Sequence, residues 1–105
     1  MSEYGIILCT VGNAENAKQI SYALVEDKLA ACVSTLSVNS SVYHFEGKLY
    51  DEPELLLVIK TRKELFEEVK SLILKLHLYT LPEIVFLPIM DGHAPYLNWI
   101  GDETC

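Results

Sequence analysis

A chain of 105 residues, half of them apolar, fits one domain that buries roughly 60 to 70% of its unfolded surface without disulfide or metal staples. Fifteen acidic against eight basic residues, with Arg62 the sole arginine, give a formal charge of −7, which excludes nucleic acid as an expected partner because phosphate binding relies on Lys and Arg. No apolar run approaches the roughly 20 residues of a membrane span, and Met1-Ser2-Glu3-Tyr4 has no basic targeting region, so a soluble intracellular protein with no membrane partner is expected.

The first predicted element is a short apolar strand, Tyr4 to Thr10, closed by Gly12-Asn13. Asn13 caps a helix predicted over Ala14 to Lys28, with Glu15 in its first turn and Ala17, Ile20, Ala23 and Leu24 at helical spacing. A long β-favouring run, Val33 to Phe45, follows. At roughly 3.3 Å per residue it would span about 43 Å, against about 17 to 20 Å for a common strand. Strict alternation puts Val38, Ser40, Val42 and His44 on one face and Asn39, Ser41, Tyr43 and Phe45 on the other. Glu46-Gly47 turns the chain into a return strand through Leu55 to Lys60. Pro53 makes Tyr50 to Glu54 a bulge, a bend or an edge. Glu46, Asp51, Glu52 and Glu54 gather near the tip and read first as a solvated edge.

Thr61-Arg62-Lys63-Glu64 has capping-box spacing, and the stripe Leu65, Phe66, Val69, Leu72, Ile73, Leu76 predicts a second helix over Arg62 to Leu76. A loop, His77 to Pro82, leads to a strand over Glu83 to Met90 that Pro88 bends. Pro95 opens a short final helix carrying Tyr96, Leu97, Trp99 and Ile100, and Gly101 stops it. The order βαββαβ plus a terminal helix predicts an α+β, ferredoxin-like antiparallel sheet with helices on one face. One hairpin overhangs that sheet, and its unpaired backbone is most simply met by further copies of the chain.

This topology brings the end of strand one (Cys9), the loop after helix two (His77) and the start of strand four (Glu83) to one edge. A thiolate, an imidazole and a carboxylate there are a ligand set suited to Cu(I) or Zn. The alternatives are a buried apolar Cys9, a solvated His77, and a Glu83 that caps backbone or pairs with a lysine. Cys32 reads as core, and three cysteines with no Cys-x-x-Cys pair read as reduced thiols. Catalysis is not expected: there is no Ser-His-Asp arrangement with supporting context, no P-loop and no Gly-x-Gly-x-x-Gly.

Several stretches together carry a specific resemblance over nearly the whole chain. They are Leu8-Cys9-Thr10, Lys28-Leu29-Ala30-Ala31-Cys32-Val33, Ser41-Val42-Tyr43 with Glu46-Gly47-Lys48, Ile59-Lys60-Thr61, Pro82-Glu83-Ile84, Leu87-Pro88-Ile89, and Tyr96-Leu97 with Trp99-Ile100. The chain resembles the CutA divalent-cation tolerance proteins. The resemblance implies a cytoplasmic homotrimer whose long hairpins complete neighbouring sheets, an architecture similar to the nitrogen-regulatory PII proteins, and binding of copper or another divalent metal. It places the metal at Cys9 and His77. The chain departs from the family pattern at Ser37-Val38, at Phe45, and at Leu76 and Leu78 beside His77. A PII-like signalling or interaction module, taking a small ligand or protein at subunit clefts, is the alternative function.

Overall fold

The computed structural model describes residues 3–105; Met1 and Ser2, where the N-terminal reading above begins, lie outside the described residues. The elements are β1 (Tyr4–Val11), α1 (Ala14–Glu26), β2 (Cys32–Phe45), β3 (Lys48–Arg62), a 3-10 turn (Lys63–Leu65), α2 (Phe66–Leu76), β4 (Val85–Pro88) and α3 (Ala94–Asp102). The four strands form one antiparallel sheet in the order β2-β3-β1-β4, the ferredoxin-like arrangement expected from the element order. Ile7, Cys9, Val11, Leu57 and Ile59 point to one face, where α1 contributes Ala17, Ile20 and Leu24 and α2 contributes Val69 and Ile73 to a single core. Gly5 lets β4 close against β1 on this face, since a Cβ there would stand 2.1 Å from the Phe86 ring. No described helix is long and apolar enough to cross a membrane.

The opposite face is not covered by α1 and α2. Ile6, Leu8, Val58, Leu56, Leu36, Val85 and Leu87 line it, with Leu36, Val85 and Leu87 exposed. At one end α3 lies against it: Gly101 passes close to the Tyr4 hydroxyl, and Arg62 Nε donates to Thr104 Oγ1 at 2.9 Å.

Strands β1 and β2 are each one residue longer than expected, and four other boundaries differ for identifiable reasons. Helix α1 stops at Glu26 rather than Lys28: Lys28 turns left-handed (φ 58°), and Lys28 N–H and Leu29 N–H donate back to the Val25 and Leu24 carbonyls. This is a Schellman closure built without glycine. Thr61 does not cap a helix; its hydroxyl donates to the Leu29 carbonyl at 2.6 Å, so β3 runs on to Arg62 and α2 begins at Phe66 after the 3-10 turn. Strand β4 has only four residues, and beyond it the Thr10 carbonyl is met by the His77 ring. Helix α3 continues past Gly101, and Thr104 Oγ1 donates to the Ile100 carbonyl at 2.9 Å.

The hairpin is as long as expected. Strand β1 pairs only with Leu55 to Arg62 of β3, so the seven residues Lys48 to Glu54 and their β2 partners leave the sheet, an overhang of about 23 Å at roughly 3.3 Å per residue. Glu46 and Gly47, both at positive φ, make the two-residue turn suited to twisted strands. Pro53 sits inside β3 without ending it. Asn39 and Ser40 of β2 together oppose Pro53, so the extra residue lies on the partner strand, where no N–H is asked of the proline. The Ser40 hydroxyl donates to Asp51 beside it. This bulge shifts β2 alternation: Ser41, Tyr43 and Phe45 join Leu36 and Val38 on the open face, in place of the strict alternation expected.

Candidate functional site

Where the hairpin leaves the sheet, the loop after α2 comes up against it. Helix α2 ends at His77, which turns extended (φ −71°, ψ 142°), and buried Asn16 of α1 holds that end by donating from Nδ2 to the Leu76 carbonyl at 2.9 Å. His77 then braces the loop with both ring nitrogens. Nδ1 accepts from the Tyr79 N–H at 3.0 Å, so Nε2 carries the proton and donates to the Thr10 carbonyl at 2.7 Å. Held this way, Tyr79 stacks obliquely on His77 and its hydroxyl donates to Glu54 Oε2 at 2.8 Å, tying the loop to the base of the overhang.

Between them opens a cavity of about 740 Å³, within the range of small-molecule sites. Thr10 of β1, Tyr43, Phe45 and Tyr50 of the hairpin, Tyr79 and Leu81 of the loop, and the carboxylates Glu54 and Glu83 line it. Tyr43 and Tyr50 stack at 5.2 Å, and the Tyr43 hydroxyl donates to Glu52 at 3.1 Å. Burial and the bonds to Glu54 and Glu52 raise the Tyr79 and Tyr43 phenols above their ordinary pKa, so both hydroxyls stay protonated donors. The walls are thus aromatic and the polar groups acidic or hydroxylic.

The three predicted ligands reach this corner but do not converge. Glu83 lines the cavity. His77 lies behind it, with both nitrogens engaged. Cys9 points to the opposite face of the sheet and is fully buried in the core. Burial, and secondarily the Glu83 charge, push its thiol up to about 12, so at neutral pH it is a thiol rather than the thiolate a metal takes. Among the described residues no three His, Cys, Asp or Glu side chains are grouped to hold a metal ion. Within one subunit the donor set therefore does not fit a metal centre.

Tyr43, Tyr50, Glu54 and Tyr79 were not picked out as a group by the sequence reading. The available signal was Pro53: a proline in mid-strand demands an irregularity, and the irregularity decides which way Tyr43 points.

The chain is similar to known proteins over nearly its full length. Residues 5–103 match the family model described as CutA1 divalent ion tolerance protein. A divalent-cation tolerance protein CutA of Thermus thermophilus is 42% identical over 99 residues, 94% of this chain and 96% of that protein. The chloroplastic protein CutA of Arabidopsis thaliana is 39% identical and the human protein CutA 36%; the chain spans 54% and 53% of their lengths, about half. Solved structures agree: the Thermus thermophilus protein at TM-score 0.93 (41% identity, 97% of this chain and 99% of that one), and the Oryza sativa CutA1 at 0.94 (36% identity, 99% and 95%).

Proposed function

The chain belongs to the CutA1 divalent ion tolerance family, and from that premise we propose that it works as a cytoplasmic homotrimer in the response to copper or another divalent metal, without catalysis of its own. The overhanging hairpin carries the reading. Its unpaired backbone, Val42 and Leu49 exposed on the face of the hairpin opposite Tyr43, and the apolar open face of the sheet are surfaces that a second and third copy would cover. Free Cys9, Cys32 and Cys105 support a reducing compartment. The metal is proposed as cargo met at the cavity corner of the assembled protein, with Glu83 and the carboxylate-rich hairpin tips of neighbouring copies as its first donors; Cys9 and His77, engaged within the subunit, join them only when their present contacts open. Light scattering at micromolar concentration should give three times the 11.9 kDa subunit mass, and a monomer would remove the assembly. Copper titration of the reduced protein should weaken in Cys9→Ser and His77→Ala; unchanged binding in both would remove these ligands.

The aromatic and acidic cavity favours a second reading, a PII-like interaction module holding a small organic ligand or partner at a subunit cleft. An organic molecule found at that cleft, with no metal uptake, would select it. Turnover in a substrate screen would overturn the non-catalytic role.

A further inference from the structure

Three tyrosines, Tyr43, Tyr50 and Tyr79, and Phe45 share the cavity at the base of the overhang with the carboxylates Glu54 and Glu83, and no lysine or arginine lines it. The Tyr43 and Tyr79 hydroxyls already donate to Glu52 and Glu54, so these rings offer an entering molecule their faces rather than their protons. An aromatic face carries negative quadrupole charge and attracts an ammonium. Tyr50 already does so: Lys48, from outside the lining, sets Nζ 5.3 Å from its ring centroid. A phosphate or carboxylate entering the same space would meet two carboxylates and no balancing cation, on a chain of formal charge −7. At about 740 Å³ the space is far larger than a bare metal ion needs and fits a ligand with an organic body.

Resting on the second reading above, of an organic ligand at a subunit cleft, we propose that this cavity takes a small organic cation, an ammonium on an apolar body, held against the tyrosine rings and balanced by Glu54 and Glu83. A methylated ammonium suits the rings better than a primary one, because it gives up less hydration on entering. Thr10 and Tyr43 lie on the sheet face that neighbouring copies would cover. Leu78 and Leu81 of the lining belong to the loop after α2, stand exposed, and are on none of the surfaces assigned to those copies, so the loop side gives a small molecule its entry.

The test uses the full chain, in the assembly state that light scattering gives it, and three probes that share one ring: benzyltrimethylammonium, benzyl alcohol and benzoate. Benzyltrimethylammonium should bind saturably, shift the backbone amides of Tyr43, Tyr50 and Tyr79 in NMR spectra, and bind about tenfold more tightly than benzyl alcohol. Benzoate should not bind. Glu83→Gln should weaken the cation several-fold and leave benzyl alcohol unchanged. Should that variant fail to fold, the three probes on the unsubstituted chain decide alone. Benzyl alcohol or benzoate binding as tightly as the cation leaves an organic-ligand site standing but overturns its cationic character. No binding of any probe, or shifts confined to residues away from these tyrosines, overturns the cation site and the second reading together.

Discussion

The His77 ring donates to the Thr10 carbonyl at 2.7 Å and fixes the loop after α2 to the end of β1. Replacing His77 by Ala removes this bond and the Nδ1 acceptor of the Tyr79 amide together. A loss of about 1–2 kcal/mol in denaturant unfolding is expected, with faster hydrogen exchange at the Tyr79 N–H. An unchanged Tyr79 amide would show that the loop is held by Glu54 instead.

Cys9 should make the protein sensitive to alkali. Its thiol ionises near 9.0 when unfolded and at about 12 when folded, so the folded state holds the proton longer. The stability this represents is fully present below pH 9 and is lost as pH rises toward 12. Cys9→Ala should flatten the fall in thermal midpoint across that window. At pH 8 the native Cys9 should resist a thiol reagent that labels Cys105 at once.

Lys28 occupies a left-handed conformation that costs a side-chain-bearing residue about 1–2 kcal/mol and glycine much less. Lys28→Gly should therefore stabilise the fold by about 1 kcal/mol, net of glycine's greater unfolded-state freedom, read as a raised thermal midpoint. A lower midpoint would mean that the lysine side chain contributes more than its backbone costs.

Gly5→Ala should act in the opposite direction. The added methyl would stand 2.1 Å from the Phe86 ring and 2.7 Å from the Leu87 carbonyl oxygen, so β4 must move away from β1. A loss of about 1–3 kcal/mol is expected, with faster exchange of the β1–β4 ladder amides than of the β1–β3 ladder.

Much of this fold was legible because β1 is a short, nearly continuous apolar run, the hairpin a long β-favouring run turned at Glu46-Gly47, and α2 a full stripe at period 3.6. The misread boundaries arise where a polar side chain or backbone group took a partner other than the one its spacing suggested, tertiary at Thr61 and local at Lys28 and Thr104. Thr61 has capping-box spacing, but the Leu29 carbonyl takes its hydroxyl. Lys28 offers no glycine to mark the end of α1, yet the chain turns left-handed there. At the site, topology brought Cys9, His77 and Glu83 to one edge as expected. Which side of the sheet each would face depended on register, and Cys9 fell on the core side.

The two residues opposite Pro53 set the phase of everything beyond them. Without the extra residue, the tip of β2 would rotate by half a turn: Val42 and His44 would replace Tyr43 and Phe45 beside Glu54, and the cavity would lose its aromatic wall. Insertions and deletions in this arm are therefore tolerated in twos and damaging in ones. The length of the arm can drift, but its parity cannot.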